Sequence, residues 1–128
     1  MAKKILIVED NDVVAALLGN RLKHHGFEVV VAPDAVLGAK VYAQQQPDLV
    51  ILDLLLPAGG GIAVLRAMRE LSYGKNTPVI VLTGTKSSAL KQIVDLGVQD
   101  VVQKPYDAKD LMTRILKVLG EPDPKSSE

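Results

Sequence analysis

An α/β chain built as a five-stranded, doubly wound parallel sheet is predicted by three observations: short apolar runs rich in β-branched residues, helically spaced segments between them, and capping residues or glycines at the junctions. The runs are Ile5–Val8, Phe27–Val31, Leu49–Leu52 and Val79–Leu82, each too short for a helix. A weaker fifth, Val101-Val102, precedes Lys104-Pro105. None alternates strictly between apolar and polar, as a strand with one wet face would, so helices are expected on both faces.

The first helical segment carries Val13, Val14, Leu17, Leu18 and Leu22, with Asp12 as its expected N-cap and Gly26 as its stop. Asp34 opens the second, which carries Val36, Leu37, Val41 and Tyr42. Ile62, Val64, Leu65, Met68 and Leu71 mark the third. The fourth runs from a cap at Ser87 through Leu90, Ile93, Val94 and Leu96 to Gly97, and the fifth from Asp107 through Leu111, Ile115, Leu116 and Leu119 to Gly120. Five βα units result, a (βα)5 arrangement. Right-handed crossovers then place the functional crevice beyond the carboxyl ends of the strands. Residues 1–120 are read as one domain, and Glu121–Glu128, with two prolines and no apolar anchor, as a disordered tail or the start of a linker.

Composition narrows the function classes. Fifteen Lys plus Arg balance fifteen Asp plus Glu, so no bulk charge draws the chain to nucleic acid or to an anionic membrane. Cysteine is absent, which removes disulfides, thiolate metal sites and a cysteine nucleophile. No apolar run approaches the ~20 residues of a membrane span, and a soluble, cytoplasmic protein is expected. Aromatics are confined to Phe27, Tyr42, Tyr73 and Tyr106, too few for a base-stacking platform.

Polar chemistry gathers where the strands end: Glu9-Asp10 after the first, Asp53 after the third, Thr83-Gly84 after the fourth, and Gln103-Lys104-Pro105 after the fifth. In the flavodoxin-like strand order 2-1-3-4-5, strands one and three are neighbours, so three carboxylates share one crevice. Such a group needs a counter-cation, and hard oxygen ligands suit Mg²⁺ or Mn²⁺ with room left for a phosphoryl ligand. Each residue alone has an ordinary reading: an acidic residue after a strand often caps a helix, Thr83 fits a turn, and Lys104 fits a solvated charge. Pro105 restricts the backbone of Lys104 and so can aim its side chain.

The combination Ile5-Leu-Ile-Val-Glu9-Asp10-Asn11, Leu49-Val-Ile-Leu-Asp53-Leu-Leu-Leu-Pro57, Gly61, Pro78-Val-Ile-Val-Leu-Thr83-Gly84 and Lys104-Pro105 resembles the receiver domain of bacterial two-component response regulators. The resemblance covers residues from about 3 to about 119. It implies phosphoryl transfer from a phosphohistidine on a histidine kinase or histidine phosphotransfer protein to Asp53. Glu9 and Asp10 resemble the acidic pair that holds Mg²⁺ together with Asp53 and the main-chain carbonyl of Leu55. Thr83 and Lys104 resemble the pair that meets the phosphoryl oxygens. The family is not a conventional enzyme: it catalyses its own aspartate phosphorylation and dephosphorylation. It passes the signal to a downstream effector protein through a surface formed by the fourth helix, fifth strand and fifth helix, and admits a phosphorylation-dependent homodimer.

The chain departs from the family pattern in places. Leu56-Pro57 stands where many receivers have Met-Pro, a volume-conserving change. Gly60 replaces an Asp, so the Gly59-Gly60-Gly61 run loses a capping side chain and a more mobile loop is expected; without a following Lys-Ser/Thr it is no P-loop. Gly84 replaces the usual Ala. Val101 replaces an aromatic that commonly swings inward, so a different coupling to the output face is expected. Leu55 is expected to shield an aspartyl phosphate from water and lengthen its life. His24-His25 suits the end of the first helix by charge complementarity.

Three other functions compete. A pseudo-receiver would be a constitutive interaction module, a reading at odds with the full set Glu9, Asp10, Asp53, Thr83 and Lys104. A receiver cut from a larger multidomain regulator or hybrid kinase is a second. An aspartate-nucleophile phosphatase would place a general-acid Asp where Leu55 stands.

Overall fold

The structure is a computed structural model that describes residues 2–56, 60–71, 76–84 and 89–120. Strands β1 (Lys4–Val8), β2 (Glu28–Ala32), β3 (Leu49–Asp53), β4 (Val79–Thr83) and β5 (Asp100–Gln103) alternate with helices α1 (Asp12–His24), α2 (Ala35–Gln45), α3 (Gly60–Glu70), α4 (Ala89–Asp95) and α5 (Ala108–Leu119). All strands are parallel, in the order β2-β1-β3-β4-β5. The doubly wound sheet expected from the apolar runs is therefore present.

Strand periodicity divides the interior in two. Ile5, Ile7, Leu49, Ile51, Ile80 and Leu82 face one way and pack with Leu18 and Leu22 of α1 and Leu111, Ile115 and Leu116 of α5. Leu6, Val8, Val50, Leu52, Val79 and Val81 face the other way, against Tyr42 of α2, Val64, Leu65 and Met68 of α3, and Ile93 of α4. β3 and β4 are buried throughout, which explains their unbroken apolar sequence. α2 lies so close to β1 that a Cβ at Gly38 would stand 2.9 Å from Val8 Cγ1.

Several boundaries differ from expectation by a residue. The N-cap of α1 is Asn11, not Asp12: its side-chain oxygen accepts the N–H groups of Val13 and Val14, both at 3.0 Å, and Asp12 becomes the first helical residue. Three cap-competent residues stand in succession at Asp10-Asn11-Asp12, and the extended backbone of Asn11 selects the middle one. Phe27 precedes β2 instead of opening it, and its N–H donates to the Leu22 carbonyl to close the end of α1. Asp34 and Asp107 cap α2 and α5 as expected. Gly26, Gly97 and Gly120 all adopt positive φ at helix ends. α2 instead stops on Gln46 at φ 45°, a left-handed residue that its side chain does not advertise. The expected cap at Ser87, residues 57–59 and the tail from Glu121 lie outside the described residues.

At the sheet end away from the acidic residues, Arg69 of α3 binds three carbonyls. Its Nε donates to Leu96, Nη1 to Thr77 and Nη2 to Gly97, at 2.8, 2.8 and 2.9 Å. Thr77 also bonds to buried Tyr42 through their hydroxyls, at 2.6 Å. The Lys3 ammonium donates to the Leu119 carbonyl at 2.7 Å, joining the start of β1 to the end of α5.

Candidate functional site

Glu9 follows β1, Asp53 ends β3, Thr83 ends β4 and Lys104 follows β5, so one end of the sheet collects them all. The register sets their depth: Val8 pairs with Leu52, Asp53 with Leu82, and Thr83 with Gln103. Glu9, Asp53 and Thr83 are only 4%, 5% and 3% exposed, whereas Asp10 faces solvent. Carboxylate oxygens of Glu9, Asp10 and Asp53 lie within 4.8 Å of one another. The structure thus brings the three predicted carboxylates together.

Lys104 sits between the two buried ones. Its Nζ is 3.1 Å from Glu9 Oε1 and 3.0 Å from Asp53 Oδ2. The other oxygen of each carboxylate accepts a backbone N–H, from Asn11 to Glu9 Oε2 at 3.3 Å and from Leu55 to Asp53 Oδ1 at 3.0 Å. Both carboxylates are therefore oriented through both oxygens. The Lys104 N–H donates to the Thr83 carbonyl at 2.7 Å, which ties the lysine to the end of β4, and its peptide bond to Pro105 is cis.

Burial raises the pKa of Glu9 above the ordinary carboxylate value, and the Asn11 N–H and Lys104 offset this only in part. For Lys104, burial disfavours the ammonium, but the hydrogen bonds and charges of Asp53 and Glu9 outweigh it and raise the pKa. Three carboxylates at −1 and one ammonium at +1 leave −2. Clustered carboxylate oxygens with that residual charge and a solvent-facing member, Asp10, match the needs of a hard divalent cation that keeps some of its waters.

Three contributors were not legible as site residues in the sequence. Asn11 appeared only as part of a motif, yet it both caps α1 and holds Glu9. Tyr106 is half-buried against the α1/α5 core and close enough to feel the charges of Lys104 and Glu9. Gly61 presses against the backbone of Asp53. Two of the departures also take shape here. Leu55 is 67% exposed beside Asp53. A Cβ at Gly84 would meet nothing within 4 Å, so close packing does not require glycine there. No helix among the described residues is long and apolar enough to cross a membrane.

Similar folds are well represented among solved structures. The BeF3-activated N-terminal receiver domain of RstA from Klebsiella pneumoniae is 31% identical, with a TM-score of 0.80 over 91% of this chain and 97% of that one. A CheY-like response regulator receiver domain protein from Methanospirillum hungatei is 26% identical, with a TM-score of 0.86 over 94% and 95%. The receiver domain of a sensor histidine kinase from Pseudomonas aeruginosa shares the fold at 24% identity, TM-score 0.85, over 94% and 100%; that protein carries a magnesium ion in its active-site cleft. The family model for the response regulator receiver domain matches residues 5–116. With that match spanning most of the chain and the acidic cluster at the expected end of the sheet, the protein belongs to the response regulator receiver domain family of two-component signalling.

Proposed function

We propose that Asp53 accepts a phosphoryl group from a phosphohistidine of a histidine kinase or histidine phosphotransfer protein, and that this switches a surface read by a downstream effector. The observation that carries the reading is the buried Asp53 carboxylate, grouped with Glu9 and Asp10 and held by Lys104. Glu9, Asp10, Asp53 and the Leu55 carbonyl would hold Mg²⁺ or Mn²⁺. Such an ion, when bound, supplies positive charge to the phosphoryl oxygens.

Asp53 is the nucleophile. A carboxylate oxygen attacks phosphorus, the P–O bond forms as the P–N bond breaks, and the electron pair returns to the departing imidazole. A carboxylate nucleophile attacks through a lone pair and has no proton to give up, so the step needs no general base. The transferred group brings its own charge, and positioning does most of the work. Lys104 stands 3.0 Å from Asp53 Oδ2 and pairs with the incoming oxygens, while the Thr83 hydroxyl donates to them.

Charge drives the switch. Three carboxylates at −3, a divalent ion at +2 and Lys104 at +1 sum to zero, and replacing the −1 of Asp53 with about −2 leaves roughly one negative charge unbalanced. Thr83 and nearby backbone amides are the groups that respond, biasing the two-state surface of α4, β5 and α5. Val101 packs at the edge of the α2/α3/α4 core, so the response travels by packing and backbone and not by an aromatic swing.

Incubation with acetyl phosphate and Mg²⁺ is expected to add one phosphoryl group to the intact chain by mass spectrometry, and Asp53→Asn to add none. A wild-type chain that stays unlabelled would instead be a constitutive interaction module. Label retained in Asp53→Asn would move the acceptor elsewhere.

A further inference from the structure

Gly61, in the first turn of α3, is buried against the chain segment that presents the acceptor. A Cβ placed there would stand 2.4 Å from the Asp53 carbonyl oxygen, 2.8 Å from Leu54 Cα and 3.2 Å from the Asp53 carbonyl carbon. All three are backbone atoms, which cannot turn aside as a side chain does. The Gly61 N–H also donates to the Leu54 carbonyl at 3.0 Å. The start of α3 is therefore seated directly on the Asp53–Leu54 peptide.

That peptide is also held from the other side. The Leu54 N–H donates to the Leu82 carbonyl at 3.1 Å, and the Leu55 N–H to Asp53 Oδ1 at 3.0 Å. A methyl group at position 61 must move this segment or lift α3 off it. Hydrogen bonds weaken steeply with distance and angle, so a shift of several tenths of an ångström would disturb the carboxylate and the Leu55 peptide together. Gly38 offers a contrast: the three atoms nearest a Cβ there are valine methyls of Val8 and Val64, the closest at 2.9 Å.

We infer that Gly61 is a positioning residue: its missing side chain lets α3 clamp the Asp53–Leu55 segment, setting the acceptor carboxylate and the Leu55 carbonyl at the spacing a divalent cation and a phosphoryl group require. The inference rests on the reading of Asp53 as acceptor and Leu55 as a carbonyl ligand. Misplacement of a reacting group by about 1 Å can cost around a hundredfold in rate.

The test compares wild-type, Gly61→Ala and Gly38→Ala chains by Mg²⁺ titration calorimetry, metal-free thermal melting and acetyl phosphate labelling. Both variants should melt lower. Gly61→Ala alone should bind Mg²⁺ about tenfold more weakly and label about a hundredfold more slowly at saturating Mg²⁺. A second measurement needs no variant: because coupling is reciprocal, Mg²⁺ should slow hydrogen exchange at the Gly61 amide of the wild-type chain. If Gly61→Ala keeps wild-type affinity, if Gly38→Ala loses as much, or if the Gly61 amide ignores Mg²⁺ that does bind, the inference is overturned. A wild-type chain that neither binds Mg²⁺ nor takes up phosphoryl overturns the functional reading beneath it instead.

Discussion

Lys104→Met is expected to bind Mg²⁺ about tenfold more tightly than the parent while labelling with acetyl phosphate at least about a hundredfold more slowly. The two effects have one origin. Lys104 Nζ lies 3.0 to 3.1 Å from the two buried carboxylates and satisfies the same negative charge that a divalent ion would satisfy. Removing it abolishes the repulsion between ammonium and metal, about 1–2 kcal/mol at the high effective dielectric of a lysine that is 31% exposed. Tighter metal does not rescue the chemistry, because the phosphoryl oxygens lose a positioned positive donor. The metal-free variant should also be less stable by about 2 kcal/mol, since Glu9 and Asp53 stay buried without their cation. Saturating Mg²⁺ should restore most of that loss by binding the folded state. Calorimetric titration measures the affinity, melting curves with and without Mg²⁺ measure the stability loss and its recovery, and mass spectrometry of acetyl phosphate labelling measures the rate. Unchanged Mg²⁺ affinity would show that the lysine does not compete for the carboxylates.

Arg69→Met should lower the unfolding free energy by about 2–4 kcal/mol, or roughly 10 °C in melting temperature for a chain of this size. The guanidinium donates to the Leu96, Thr77 and Gly97 carbonyls with its three nitrogens. Methionine covers the apolar path of the side chain but donates nothing. Arg69→Lys should recover less than half of the loss, because a single ammonium cannot reproduce a planar fork aimed at three acceptors. The damage should also be local first: amide exchange in α4 should quicken before exchange in β3 or β4. A Met variant within 0.5 kcal/mol of the parent would mean that water replaces the fork without cost.

Much of this architecture was legible in the residues because it depends on local patterns. Unbroken apolar runs announced β3 and β4, which are buried on both faces, and positive-φ glycines announced three helix ends. The four charged site residues were legible because strand order carries sequence-distant strand ends to one edge of the sheet. What stayed hidden depends on tertiary approach. Pro47 marks where α2 must end, but nothing local marks Gln46 as left-handed. Arg69 reads as one more surface cation on an amphipathic helix until the residues just after α4 and just before β4 bring their carbonyls to it. Gly61 stands in the family motif, but nothing in the sequence says what it touches until the Asp53 backbone is found against it. Asn11 was lost among three equivalent candidates for a single cap, a choice that backbone geometry makes and composition does not.

The division of the interior by the sheet has an evolutionary reading. One compartment, lined by α1 and α5, and the other, lined by α2, α3 and α4, share no side chain, because each strand residue faces only one of them. Asp53 continues the alternation of Leu49 and Ile51 toward the first; Thr83 continues that of Val79 and Val81 toward the second. Mutations that repack around Val101 and Ile93 can thus accumulate in one compartment while the other keeps its fit. Because α3, which seats the acceptor segment through Gly61, shares that compartment with α4, a lineage that changes whom the switch addresses through α4 must preserve the packing of α3, whereas the α5 side can drift apart from it.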